Sequence, residues 1–205
     1  MRKQIAVLAS HAGTVLQAIV DGCVDGRLQA DVCLIISNNS RSGAAQRAER
    51  HEIPFRHISG QTHGEPAALD AAIVGALVEH RADIVFLAGY MKKLGPRTLS
   101  QFRGRILNTH PALLPKFGGL GMYGARVHAA VLAAGERVTG VSVHRVEGEY
   151  DTGPVLAQCE VPVLPGDDVE ALSARVQARE RAFVVETLDR IARGEPLELI
   201  EPARA

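Results

Sequence analysis

The chain has 205 residues, 46% of them apolar, and its 23 Lys and Arg balance its 23 Asp and Glu. A chain of this length buries roughly 70% of the surface that its unfolded form exposes, which excludes a disordered or collagen-like protein. Because these charges balance, the chain has no net positive charge that would attract nucleic acid. The sequence has no apolar run near the ~20 residues that span a bilayer and no signal-peptide pattern, so we expect a cytoplasmic protein without nucleic-acid or membrane partners.

Strand and helix patterns alternate through the first half of the chain. Runs of β-branched and aliphatic residues predict strands, and apolar residues at helical spacing predict helices. The predicted strands are 4–9, 32–37, 55–58, 83–88 and 105–109, and the predicted helices are 15–24, 42–51, 67–80 and 96–102. This alternation is typical of an α/β fold with a Rossmann-like, doubly wound and mainly parallel sheet.

The pattern changes beyond Ala112. A Gly-rich loop runs to Gly124, and a helix is predicted over 125–134. Two β-rich runs follow, and a last long helix begins near residue 168, where Asp167 or Asp168 is the expected cap. These runs cover 138–146 and 154–163, and the last helix extends to about 193. We find no internal repeat or linker, which predicts a single domain.

The loop Ser10 to Thr14 follows the first predicted strand, where open parallel sheets bind ligands. Gly13 and Thr14 stand at a helix N-terminus, and backbone N–H groups there suit an anion such as a phosphate. The loop lacks both G-x-G-x-x-G and the lysine of a Walker loop. Taken alone, this pattern favours an ordinary turn capped by Thr14.

Two further polar loops carry candidate chemistry. Asn108 and His110 are two positions apart at a strand end, so their side chains share one side. An amide donor beside an imidazole suits a developing oxyanion, although a turn-forming Asn beside a structural His fits the spacing equally well. The loop 147–153 holds three carboxylates, one of which near His110 would accept a proton. Most acidic loops are simply solvated.

Other catalytic classes find no support in the sequence. It lacks G-x-S-x-G and H-E-x-x-H, and its three cysteines are far apart, which predicts neither disulfides nor zinc. A cluster of His110, His128 and His144 is a weak metal hypothesis. No metal is therefore expected.

Three segments together form a specific combination. N-T-H-P-A-L-L-P-K occupies residues 108–116, G-V-S-V-H occupies 140–144 and D-T-G-P-V occupies 151–155. This combination closely resembles the folate-dependent formyltransferases, over nearly the whole chain. Within that superfamily, residues 13–19 and 175–180 resemble the branch that formylates glycinamide ribonucleotide in purine synthesis.

The resemblance implies a direct transfer of the formyl group from 10-formyltetrahydrofolate to the amine of glycinamide ribonucleotide, without a metal. By motif, Asn108 and His110 polarise the formyl oxygen and stabilise the tetrahedral adduct. Asp151, through a water, accepts the proton that leaves the amine. His144 supports this group.

The resemblance also implies binding residues. The nucleotide phosphate lies on the backbone amides of Gly13, Thr14 and Val15, and Glu180 and Gln177 hold the acceptor. The folate rests against the loop that contains Asp151, and against the end of the predicted strand 83–88 with the segment that follows it. The residues of that strand end and segment are Leu87, Met91, Lys92, Lys93 and Leu94.

The same resemblance divides the chain into two functional halves. Residues 1–111 form the half that binds the nucleotide phosphate, and residues 112–205 form the half that binds folate and closes the site. The expected partners are glycinamide ribonucleotide and a reduced folate, and a monomer or a homodimer is expected.

Three positions and one loop depart from the usual family pattern. Val15 stands where a polar residue is common, and Lys92 replaces an arginine with a point charge. Pro66 aligns near an arginine that meets the folate glutamate in some members, and the loop 118–124 has a less common sequence. Two other functions stay open: a formyltransferase with another acceptor, such as a sugar nucleotide, and a non-catalytic folate- or nucleotide-binding domain.

Overall fold

A computed structural model describes residues 1–197 and residue 200. The strands are β1 (Lys3–Leu8), β2 (Ala30–Ser37), β3 (Phe55–His57), β4 (Ile84–Leu87), β5 (Ile106–His110), β6 (Val138–Arg145) and β7 (Val155–Pro162). The helices are α1 (Thr14–Val24), α2 (Gly43–Arg50), α3 (Gly60–His63), α4 (Pro66–Glu79), α5 (Pro96–Gln101), α6 (Ala125–Ala133) and α7 (Val169–Ala192). The chain divides into two compact units, Met1–Leu107 and Asn108–Ala205.

The strands follow the order β3-β2-β1-β4-β5-β6-β7 in a seven-stranded sheet. In the first unit, β1 pairs in parallel with β2 and with β4, and β3 pairs in parallel with β2. All four residues of β4 are buried, as expected for a strand covered on both faces. The strand order changes direction at β1, so the loops after β1 and β4 lie at a switch point of the sheet, where ligands of such folds bind.

The second unit contains an antiparallel pair, β6 and β7, against which α7 packs. The strands approach closely because Gly140 has no side chain: a Cβ there would lie 2.1 Å from the carbonyl oxygen of Cys159. The Asp168 side chain caps α7 by accepting from the Ala171 N–H at 2.8 Å. Asp167 instead accepts two hydrogen bonds from Arg175, at 2.6 and 2.7 Å.

The predicted fold class is confirmed: the sheet is mainly parallel, the carboxy-terminal part is β-rich and a long helix ends the pattern. The helix α3 was not predicted, because its four residues have no apolar periodicity. Ser59 and Thr62 form a capping box at its start. Among the described residues, none of the helices combines the length and the apolar character of a membrane span.

Candidate functional site

The end of β5 presents Asn108 and His110 to a cluster of polar groups in the second unit. The Nδ2 atom of Asn108 lies 3.0 Å from Nε2 of His144, which is on the neighbouring stretch of β6. His110 and His144 are each almost fully buried, with 3% and 2% of their surface exposed. The Asn108 amide therefore bonds to the imidazole of His144. The joint action of Asn108 and His110 on one oxyanion stays a prediction.

The Asp151 carboxylate completes the cluster. Its Oδ2 lies 3.4 Å from Nδ1 of His110, and its Oδ1 lies 3.4 Å from Nε2 of His144. The Gly119 N–H donates to Oδ2 at 2.9 Å. Residues from three distant parts of the sequence thus meet within one unit.

The hydrogen-bond partners fix which ring nitrogens carry protons. Nε2 of His110 lies 2.8 Å from the Phe117 carbonyl oxygen, and Nδ1 of His144 lies 2.9 Å from the Arg145 carbonyl oxygen. Because a carbonyl oxygen only accepts, both of these nitrogens donate. In the neutral rings, the lone pairs on the other two nitrogens therefore face the Asp151 carboxylate.

Burial and neighbouring charges shift the pKa values of His110 and Asp151 in opposite directions. Burial lowers the pKa of His110, and this effect exceeds that of Asp151 and the Phe117 carbonyl, which favour the charged ring. Burial raises the pKa of Asp151, but the His144 side chain, the charge that His110 can carry and the Gly119 N–H together outweigh it and lower the pKa overall. At neutral pH the carboxylate is therefore ionised and His110 is neutral.

Close backbone contacts place the Asp151 loop. Asp151 has a φ of 56°, a left-handed conformation that Asp tolerates better than most residues. A Cβ on Gly153 would lie 2.0 Å from the Arg145 carbonyl oxygen, and one on Gly118 would lie 3.2 Å from Cβ of Asp151. The glycine of the D-x-G-P element is thus required by the approach of the loop to the end of β6.

Ser142 holds the segment that follows His110. Its hydroxyl donates to the Ala112 carbonyl at 2.6 Å and accepts from the Leu114 N–H at 3.0 Å. The Gln158 side chain donates to the same hydroxyl at 2.8 Å and to the Leu114 carbonyl at 2.9 Å. These bonds satisfy buried main-chain groups and fix the segment that follows His110 in the chain.

Glu180, on α7, lies against β5. Its carboxylate accepts from the Thr109 hydroxyl at 3.0 Å. Burial raises the pKa of Glu180, while the bond from Thr109 and the charge of Arg181 oppose that shift. Gln177 is one turn earlier on α7, exposed, and bonds to the Ser173 hydroxyl within the helix at 3.0 Å.

In the first unit, Gly13 precedes α1 in a left-handed conformation, with a φ of 70°. Thr14 begins the helix, and neither a side-chain cap nor an acidic residue occupies its first turn. The Val15 side chain is buried in the core, so only its main chain is available to a ligand. The three predicted phosphate-binding residues therefore form one uncapped helix start.

Ser10 connects the loops at the switch point of the first unit. Its N–H donates to the Gly89 carbonyl at 3.2 Å, and its hydroxyl accepts from the Met91 N–H at 2.8 Å. The same hydroxyl donates to Oδ1 of Asn38 at 2.6 Å. The segment after β4 is thereby tied to the loop after β1.

The predicted folate residues divide between core and surface. Leu87 and Leu94 are buried in the core, whereas Met91, Lys92 and Lys93 are exposed. A cavity of about 700 Å³ opens within the first unit beside this segment. Its lining includes Asn39, His57, Pro66, Tyr90, Lys92 and Lys93.

The histidine cluster has no metal-ligating geometry. Within the part of the chain that the structure describes, no group of three His, Cys, Asp or Glu side chains is arranged to hold a metal ion. His128 lies on α6, is 1% exposed, and its Nδ1 finds no hydrogen-bond partner there. Burial, followed by the charge of His110, lowers its pKa.

Sequence reasoning missed several main-chain and bridging groups. The Phe117 carbonyl and the Gly119 N–H bind His110 and Asp151, but main-chain atoms leave no residue-type signal. Ser10 was part of the candidate loop 10–14 but received no role of its own, and Arg47 was only part of the predicted helix 42–51. A serine directly after a buried strand, at a switch point of the sheet, is the one sequence signal that points to the role of Ser10.

Comparison with known proteins places these features in context. The sequence profile of the formyl transferase family matches residues 3–188. A phosphoribosylglycinamide formyltransferase of Mycobacterium tuberculosis is 41% identical over 189 residues, which are 92% of this chain and 85% of that protein.

A chloroplastic phosphoribosylglycinamide formyltransferase of Arabidopsis thaliana is 40% identical over 192 residues, or 93% of this chain. The chain spans 65% of the length of this plant relative. The crystal structure of glycinamide ribonucleotide transformylase 1 from Symbiobacterium toebii matches with a TM-score of 0.88 and 36% identity. The match covers 98% of this chain and 95% of that one.

Proposed function

Because the chain belongs to the formyl transferase family, we propose that it transfers the formyl group of 10-formyltetrahydrofolate to the amine of glycinamide ribonucleotide in purine synthesis. The observation that carries this proposal is the Asp151 carboxylate, which lies 3.4 Å from a ring nitrogen of each of two histidines, beside Asn108. Relatives with 40% and 41% identity carry the same activity in their names.

Asn108 stabilises the oxyanion that forms when the amine attacks the formyl carbon. One N–H of its amide group donates to Nε2 of His144 at 3.0 Å, which fixes the amide orientation. The second N–H remains to donate to the substrate oxygen. A donor that is already oriented lowers the barrier because nothing has to reorganise as charge develops.

The His110–Asp151 pair accepts the proton from the attacking amine. Two acceptors face each other at 3.4 Å in the resting site, and one added proton turns their repulsion into a hydrogen bond. Since the pKa of Asp151 is low, the proton settles on Nδ1 of His110, next to the carboxylate. The pair then returns the proton to the leaving folate nitrogen, so the enzyme ends unchanged.

Separate elements bind the acceptor. The main-chain amides of Gly13, Thr14 and Val15 hold its phosphate at the uncapped start of α1. Glu180 holds the glycinamide part, supported by its bond from Thr109, and Gln177 assists from the preceding turn of α7.

The folate lies along the segment after β4. The main chain near Leu87, Met91 and Leu94 contacts the pteridine, and the exposed Lys92 and Lys93 attract the glutamate carboxylates. Both lysines border the cavity of about 700 Å³ that Pro66 also lines.

We further propose a cytoplasmic enzyme that acts as a monomer or a homodimer. Its three cysteines are free, as is usual in a reducing compartment. Light scattering coupled to size exclusion measures the oligomeric state, and fluorescence of a tagged chain locates it.

The direct test mixes purified protein with 10-formyltetrahydrofolate and glycinamide ribonucleotide and omits each in turn. We expect tetrahydrofolate and formylated nucleotide to form in equal amounts, and only when both substrates are present. Deformylation without acceptor identifies a hydrolase instead. Turnover of a formyl-accepting sugar nucleotide in place of glycinamide ribonucleotide identifies the other acceptor class, and no turnover with either identifies a binding protein.

A further inference from the structure

The first turn of α2 packs against the peptide that links Ala12 to Gly13. The Ala44 N–H donates to the His11 carbonyl at 3.2 Å, which joins α2 to the loop before α1. A Cβ on Gly43 would lie 2.5 Å from the Ala12 carbonyl oxygen, so only glycine leaves room for that oxygen. The carbonyl group therefore points toward α2.

Arg47 holds this carbonyl from one turn further along α2. Its Nε donates to the Ala12 oxygen at 3.0 Å. The same guanidinium donates from NH1 to Oε1 of Gln17, in the first turn of α1. Gln17 in turn donates to Asp21 at 2.7 Å, which orients its acceptor oxygen toward Arg47. The half-buried Arg47 side chain thus binds on both sides of Gly13.

The geometry of a trans peptide extends this hold to the proposed phosphate site. The carbonyl and N–H of one peptide unit point in opposite directions. With the Ala12 oxygen held toward α2, the Gly13 N–H points away from α2. Glycine adopts either sign of φ at little cost, so this peptide would otherwise flip and turn its carbonyl oxygen toward an anion.

We infer that Arg47 is a positioning residue for a dianionic phosphate monoester at the start of α1. It fixes the Ala12–Gly13 peptide with the N–H facing the anion and keeps the carbonyl oxygen away. Its positive charge beside the same loop adds a favourable interaction with the anion. The inference rests on the proposed function, in which the acceptor carries this phosphate.

The test measures KM and kcat for glycinamide ribonucleotide and for the same acceptor without its phosphate. We expect Arg47→Gln to raise KM for the phosphorylated acceptor about tenfold, as for loss of a charge-assisted hydrogen bond. The kcat value and the KM of the dephosphorylated acceptor stay within twofold. Arg47→Lys keeps a charged donor and restores part of the loss. Arg50→Gln, on the exposed last turn of the same helix, is the matched control and changes neither KM.

A second variant tests the peptide without touching the arginine. Gly43→Ala crowds the Ala12 oxygen, so we expect the same selective loss for the phosphorylated acceptor. Equal changes in both KM values, or no change in either, overturn the inference while the proposed function stands. Wild-type protein that accepts both substrates equally overturns the proposed phosphate site together with the inference.

Discussion

Each oxygen of the Asp151 carboxylate faces a ring nitrogen of a different histidine, and one oxygen also accepts the Gly119 N–H. A lone aspartate on a loop would be an ordinary solvated acid. Here the carboxylate is buried beside two imidazoles: the charge of His110 lowers the pKa of Asp151, and the charge of Asp151 favours the protonated form of His110. At the residue scale, the proposed proton transfer therefore depends on the whole cluster and not on Asp151 alone.

The Asn108→Ala variant tests the proposed oxyanion stabilisation separately from the proposed proton transfer. We expect Asn108→Ala to lower kcat by about 10²- to 10³-fold, because one oriented donor is lost. The melting temperature should change little, since Asn108 is only half-buried. Steady-state kinetics and thermal denaturation measure both. Gln101→Ala removes an exposed amide on α5 as a control, and an Asn108→Ala enzyme with normal kcat rules out the role.

At the scale of elements, the ends of β5 and β6 position the site through buried main-chain bonds. Ser142, on β6, fixes the segment after His110, and Gly153 permits the Asp151 loop to approach Arg145. The positions of His110 and Asp151 therefore depend on how firmly these strand ends are held. If one of these bonds is removed, the loss is therefore measurable as a lower free energy of unfolding.

We expect Ser142→Ala to lower the free energy of unfolding by about 1–3 kcal/mol, because it leaves the buried Leu114 N–H without its acceptor. The kcat/KM value should fall as well, since the chain beyond His110 loosens. Denaturant titration measures the loss, with the exposed Ser100→Ala as control. A stability within about 0.5 kcal/mol of wild type would show that the hydroxyl does not support this segment.

The elements were largely predictable from sequence, and the contacts among them were not. The strands β1 and β4 are recognisable in the sequence as apolar runs, because a strand buried on both faces is apolar throughout. The helix α7 is recognisable by its periodicity, because only one stripe of a surface helix is apolar. Asn108, His110 and Asp151 were found by spacing and resemblance. The Arg47 contact with Ala12, and the orientation of both imidazoles, depend on packing between distant segments, which no local pattern encodes.

At the scale of the whole molecule, buried histidines couple stability to pH. The pKa values of His110 and His128 are both lowered, so below about pH 6.5 the unfolded chain binds more protons than the folded one. The free energy of unfolding therefore rises with pH until these histidines are neutral in both states. The low pKa of Asp151 acts in the same direction, at more acidic pH.

We expect His128→Gln to flatten the dependence of unfolding free energy on pH between about 5 and 6.5. One titrating group contributes a slope of at most about 1.4 kcal/mol per pH unit. Denaturant titrations at several pH values measure this slope. A His128→Gln slope equal to that of wild type would mean that His128 does not couple folding to protons.

The most direct measurement of the central claim is the pH–rate profile of Asp151→Asn beside that of wild type. Asn tolerates the left-handed backbone of this position, so the loop is retained. We predict a loss of about 10²- to 10⁴-fold in kcat, and an acid limb of kcat/KM that moves to lower pH, because the carboxylate that favours protonated His110 is gone. An Asp151→Asn enzyme with the rate and acid limb of wild type would contradict proton transfer through this pair.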